Sequence, residues 1–141
     1  MQRKERIDGA VYERNYIYNF HYHLIWVTKY RNQAFTTPEL VDEMKNILLQ
    51  LSEMKEICIE EMEVMPDHVH LLISFKPKHA PADIVKYLKG HSAKMFLTAH
   101  PEIKNHDFWG GHLWSHSYYM STLGNMSKEV VEQYIRNQYT K

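Results

Sequence analysis

Two periodicities alternate along this chain. Apolar residues recur at every second position in some stretches and every three to four in others, so the sequence reads as strands interleaved with helices. Residues 18–29 (Tyr-Asn-Phe-His-Tyr-His-Leu-Ile-Trp-Val-Thr-Lys) are rich in aromatic and β-branched side chains, which predicts a strand. Thr37-Pro38 is a helix-start signal, and Leu40, Val41, Met44, Ile47, Leu48, Leu51 and Met54 form one apolar stripe; an amphipathic helix is expected over 38–54. A second strand near 56–64 turns at Pro66-Asp67 into a third at 68–76. Pro81 opens another helix, with Ile84, Val85, Leu88, Met95 and Phe96 along one face. Residues 113–122 read as a fourth strand, broken at Gly124-Asn125; Ser127 can cap a final helix over 128–139. Residues 1–16 are polar, carry little periodicity and read as a peripheral arm.

Strand, helix, strand, strand, helix, strand is the split βαβ order of an α+β, ferredoxin-like sandwich, βαββαβ, here with an added C-terminal helix. Two long helices would cover one face of the sheet. The other face needs a partner, nucleic acid or the last helix over it. The 68–76 strand shows which side chains lie there. Alternation sends Val69, Leu71, Ile73 and Phe75 to one side and both His68 and His70 to the other. Paired imidazoles on a half-exposed strand make a rigid platform for a metal ion.

Composition narrows the field. The 141 residues fit one domain with a real hydrophobic core. Seventeen Lys plus Arg balance seventeen Asp plus Glu, so nucleic-acid binding would have to come from a local patch. A single cysteine, Cys58, excludes an internal disulfide framework and a multi-cysteine zinc site and suits a reducing cytosol. No apolar run reaches membrane-spanning length, and Met1 to Asp8 is charged with no apolar segment after it; a soluble cytoplasmic protein is expected.

Each candidate side chain also has an ordinary reading. Among ten histidines, a His-x-His pair arises by chance, and His21-Tyr22-His23 lies in a strand apolar on both faces, where histidines satisfy internal hydrogen bonds. His112 and His116 straddle a loop and a strand start, and read as structural or DNA-contacting. Tyr134 shares an apolar helix face with Val130, Val131 and Ile135, the usual setting of a core tyrosine. Yet a helical Tyr134-Ile135-Arg136-Asn137-Gln138 puts Tyr134 and Gln138 on one face. Two imidazoles, an amide oxygen and a phenol could together make a metal-assisted phosphoryl-transfer site.

The chain resembles the small single-tyrosine HUH transposases of bacterial insertion sequences, the insertion-sequence 200/605 group. The resemblance runs from about Tyr18 to Gln138. It rests on Tyr22-His23-Leu24-Ile25-Trp26-Val27-Thr28-Lys29-Tyr30-Arg31, on Met62-Glu63-Val64-Met65-Pro66-Asp67-His68-Val69-His70-Leu71-Leu72 and on Val85-Lys86-Tyr87-Leu88-Lys89-Gly90. Leu113-Trp114-Ser115-His116-Ser117-Tyr118-Tyr119 and Tyr134-Ile135-Arg136-Asn137-Gln138 complete it. The resemblance implies that Tyr134 is the nucleophile and that His68, His70 and Gln138 hold Mg²⁺ or Mn²⁺. It implies cleavage and rejoining of single-stranded DNA at insertion-sequence ends through a 5′-phosphotyrosine.

The implied partners are single-stranded DNA with hairpin ends and a second copy of the chain, with active sites shared between subunits and Gly124-Asn125 as the hinge. Lys29, Arg31, Lys86 and Lys89 are the candidate DNA contacts. Asp67 is a candidate base for Tyr134, or a simple turn residue. Other readings stay open: a stand-alone relative processing chromosomal hairpins by the same chemistry, a ferredoxin-like nucleic-acid-binding module without catalysis, and a zinc hydrolase. The last would need a firmer third ligand than Gln138.

Overall fold

The computed structural model describes residues 11–12, 17–18, 21–108, 110–122 and 128–138. A short antiparallel ribbon of β1 (Val11–Tyr12) and β2 (Ile17–Tyr18) leads to β3 (His21–Val27). Then come α1 (Pro38–Met54), β4 (Cys58–Met65), β5 (His68–Ser74), α2 (Pro81–Ala99), α3 (Pro101–Asp107), β6 (Tyr119–Ser121) and α4 (Lys128–Arg136). The long strands form one sheet in the order β4-β5-β3-β6, every neighbour antiparallel. This is an α+β fold in which the two strand–helix–strand halves, β3-α1-β4 and β5-α2-β6, interleave in one sheet.

Local chemistry explains the helix ends. Thr37 caps α1, its Oγ1 accepting a hydrogen bond from the Leu40 N–H at 3.2 Å, and Pro38 follows at the first turn, where its missing N–H costs nothing. Pro81 and Pro101 open α2 and α3 in the same way. The core fills one side of the sheet. Leu24 and Trp26 of β3, Val69, Leu71 and Ile73 of β5 and Val64 of β4 pack on Met44, Ile47, Leu48 and Leu51 of α1 and on Ile84, Val85, Leu88 and Phe96 of α2. Burying such side chains contributes about 1.5–3 kcal/mol each.

The differences from expectation have physical causes. Met95, expected on the buried face of α2, is 38 % exposed, and Ser92 and Leu97 are buried instead. The strand read over 113–122 shortens to Tyr119–Ser121, with an isolated bridge between Thr28 and Trp114. Two of its carbonyls are claimed elsewhere, Lys89 Nζ donating to Ser115 O at 2.7 Å and Ser117 O at 3.0 Å, while the Lys29 N–H bond to Leu113 O at 2.8 Å belongs to the bridge itself. Lys29, placed in the first strand by its composition, starts a 3-10 turn, Lys29–Arg31. α4 ends at Arg136, so Gln138 lies just beyond it. Gly124, Asn125 and Ser127 lie outside the described residues, as do the side chains of Val130 and Val131 and most of 1–16.

Candidate active site

The sheet face away from the long helices gathers the chemistry. Cross-strand partners share a face. Glu63, His70, Ile25 and Tyr119 therefore form one row across all four strands, and His68 pairs with Val27 in a neighbouring row. Ile25 and Val27 are fully buried, so this face is covered at its centre rather than bare.

The turn before β5 is clamped. The Thr28 N–H donates to Asp67 O at 2.9 Å, and the Ala34 N–H donates to Pro66 O at 2.8 Å. Tyr30 and Arg31 meet this turn in left-handed conformations, φ 57° and 58°, uncommon for residues with a Cβ and costing of order 1–3 kcal/mol each. The result is a fixed carboxylate. Asp67 Oδ1 lies 2.9 Å from His68 Nδ1, and Arg31 Nε stands 3.6 Å from Asp67 Oδ2. The hydrogen bond to His68, helped by the Arg31 guanidinium, holds Asp67 below the usual carboxylate range despite its partial burial. With Nδ1 taken by Asp67, His68 keeps Nε2 for a ligand, the usual arrangement of a metal-binding histidine. Arg31 is thus drawn into the turn, and Lys29 Nζ lies 5.5 Å from the Tyr30 ring centroid.

His70 is held neutral. Burial, and then the neighbouring His23, push its pKa below the ordinary histidine value. His23 Nδ1 lies 3.4 Å from His70 Nε2, and His23 is only 6 % exposed. His23 is thus the hydrogen-bonded strand histidine that the sequence predicts, but its partner is a candidate site residue. Its companion His21 meets Glu60 at 2.7 Å. Position parity was the available signal, since His23 falls on the same face as Ile25 and Val27.

A second cluster holds Tyr134 and Gln138. Ser117 Oγ donates to Gln138 Oε1 at 2.9 Å and lies 3.0 Å from Tyr134 Oη; with its one proton committed, it accepts from the phenol. Gln138 Nε2 donates back to Tyr134 O at 3.3 Å. The Tyr134 ring lies against Tyr119, centroids 5.8 Å apart, which places the phenol beside the row that contains His70. Burial raises the Tyr134 pKa, partly offset by Ser117, so the phenol is protonated at neutral pH. The bonds of Gln138 run to Ser117 and Tyr134. Among the described residues, no three His, Cys, Asp or Glu are grouped to hold a metal ion.

Behind the 113–117 segment runs a groove of about 580 Å³ against α2. Lys86, Lys89, Lys94, Lys104, His112 and His116 line it. The rings of His112 and His116 stand 6.3 Å apart. Lys86 and Lys94 are exposed, whereas Lys89 is half-buried with its ammonium on two carbonyls; burial lowers its pKa to about 8.

This constellation sits in a chain whose relatives are known. The family model for IS200-like transposases matches residues 16–138. The chain belongs to that family. It is 42% identical over 128 residues to the ISDra2 transposase TnpA of Deinococcus radiodurans, covering 91% of this chain and 90% of that one. It is 33% identical over 125 residues to the transposase for insertion sequence element IS200 of Salmonella typhimurium, covering 86% and 78%. A crystal structure of a Deinococcus radiodurans protein assigned as a transposase superposes with TM-score 0.83 at 40% identity, over 93% of this chain and 99% of that one. A REP-associated tyrosine transposase bound to a REP hairpin shares the fold, at TM-score 0.53 and 17% identity, over 89% and 66%. Among the described residues no helix is long and apolar enough to cross a membrane.

Proposed function

We propose that this IS200-family transposase cleaves and rejoins single-stranded DNA at insertion-sequence ends through a 5′-phosphotyrosine on Tyr134. The observation that carries the reading is the cross-sheet row. It sets neutral His70, next to Asp67-oriented His68, on the face where Tyr134 rests against Tyr119. His68, His70 and Gln138 would hold a divalent ion, Mg²⁺ or Mn²⁺, and the nitrogen donors favour Mn²⁺. The two imidazoles fit, one with its far nitrogen pinned by a carboxylate and the other kept neutral by burial, and the Gln138 amide oxygen, which accepts from Ser117, has a second lone pair to offer. Such an ion, when bound, supplies Lewis-acid polarisation of the scissile phosphate.

The chain's own residues do the rest. The Tyr134 oxygen attacks phosphorus in line, the phosphorus–oxygen bond to the 3′ side breaks, and the 3′-oxygen leaves to become a hydroxyl. The phenol, protonated at neutral pH, gives up its proton to solvent as the bond to phosphorus forms, and solvent returns one to the leaving 3′-oxygen. The reverse attack by a 3′-hydroxyl on the phosphotyrosine joins strands without a nucleotide cofactor. Lys86 and Lys94 at the groove rim offer phosphate contacts, and His112, His116 and Tyr118 offer rings to unstacked bases. A second copy of the chain, sharing sites by exchange of the final helix, and a cytoplasmic setting belong to the same proposal. Mixing Tyr134→Phe with His70→Ala distinguishes shared sites, which regain activity, from self-contained ones, which do not.

The test incubates wild type and Tyr134→Phe with labelled single-stranded DNA from the element's ends and Mn²⁺, and resolves the products on a denaturing protein gel. A covalent band is expected in wild type, absent in Tyr134→Phe and with chelator. Binding without an adduct in either protein would favour a non-catalytic DNA-binding module.

A further inference from the structure

We propose that Ser117 is a positioning residue for the tyrosine–glutamine pair and that Lys89 holds it in place from the DNA-facing groove. The proposal rests on the reading of Tyr134 as nucleophile and adds residues which that reading leaves unassigned.

The chain of contacts is continuous. Ser117 is the one side chain bonded to both Tyr134 Oη and the Gln138 amide oxygen among the contacts the described residues make. It stands in a loop pinned on every side. The Ser115 N–H donates to Val27 O at 2.9 Å, and Trp114 Nε1 donates to the buried Ser92 Oγ at 3.0 Å. Lys89 then takes the carbonyls on either side of residue 116, at 2.7 and 3.0 Å. An ammonium carries three donors, and two are spent here on main chain. A half-buried lysine committed to a loop carbonyl two bonds from the nucleophile's partner is a strut rather than a free phosphate contact.

Lys89 also lines the basic groove beside Lys86 and Lys94. The groove wall and the tyrosine support are therefore the same loop. Losing the Ser117 hydroxyl would free the phenol and the amide to rotate while leaving the groove lysines in place. Mispositioning of a reacting group by about 1 Å costs up to roughly a hundredfold in rate.

The experiment uses the full chain with tyrosine labelled at Cζ with ¹³C, the Tyr134 line being identified by its absence in Tyr134→Phe. Without DNA or metal, Ser117→Ala and Lys89→Met are expected to move that line, and Ser117→Thr and Lys89→Arg to leave it near its wild-type position. With single-stranded DNA and Mn²⁺, Ser117→Ala should form the covalent adduct roughly ten- to a hundredfold more slowly at unchanged DNA affinity, with Ser117→Thr restoring the rate. An unmoved Tyr134 line, an unchanged adduct rate, or a rate that falls only in step with affinity would each overturn the inference. An adduct that survives Tyr134→Phe would overturn the nucleophile assignment and this inference together. Loss in Tyr134→Phe with full activity in Ser117→Ala would overturn the inference alone.

Discussion

Asp67 shows how a single side chain prepares a site. Its carboxylate spends one oxygen on His68 Nδ1 and faces Arg31 with the other, in a turn whose main chain is tied to Thr28 and Ala34. That arrangement fixes the tautomer and ring plane of His68, which makes Asp67 an orienting group for it. Asp67→Asn keeps the volume and loses the charge; Mn²⁺ affinity measured by calorimetry on the full chain should fall about 10–100-fold. Unchanged affinity would place the His68 nitrogen under some other control. His68, His70, Tyr134 and Gln138 stand out in the sequence because their spacings are local. His23 does not: its approach to His70 depends on the register of two strands 47 residues apart, which no short pattern encodes. Ser117 was hidden for the same reason, since its partners arrive from another element.

Elements follow their local chemistry where long-range contacts do not intervene. α1 runs over the residues its apolar stripe and Thr37-Pro38 predict, because cap, first-turn proline and buried face agree. The fourth strand does not, because Lys89 draws off the Ser115 and Ser117 carbonyls and the Thr28–Trp114 bridge lies two residues out of register with the β3–β6 ladder. α3 went unread, for its seven residues bring one apolar side chain, Ile103, to the core. His100 joins these helices. Its two ring nitrogens meet Glu43 of α1 and Glu102 of α3, and its ring packs on Phe96 at 4.8 Å. Burial alone would depress His100, but the two carboxylates outweigh it and hold the pKa above 6.5. A raised folded-state pKa stabilises the fold fully below the unfolded value and loses that contribution as pH rises through the folded one. The melting-temperature gap between wild type and His100→Asn should therefore be widest below pH 6.5 and narrow above it. A gap independent of pH would mean that packing, not charge, holds this junction.

Across the whole molecule, zero net charge conceals a local concentration. Cations that a count of seventeen against seventeen renders invisible converge on one groove once α2 and the 110–118 segment are packed together. Because Lys86 is exposed at that groove, Lys86→Ala should weaken single-stranded DNA binding for all sequences and make the slope of log K against log salt shallower by about 0.7. An unaltered slope would move the phosphate path off this groove. The fold serves the same end as the charges: one sheet face is sealed by two helices, and the other is left to His68, His70, His23 and the C-terminal tyrosine.

The most direct test of the account is to isolate the covalent protein–DNA product, digest it with nuclease and trypsin, and locate the modification by tandem mass spectrometry. The account predicts a nucleotide joined through its 5′-phosphate to Tyr134, within the peptide from Glu129 to Arg136. A nucleotide on Tyr119 or any other side chain, or one joined through its 3′-phosphate, would contradict it.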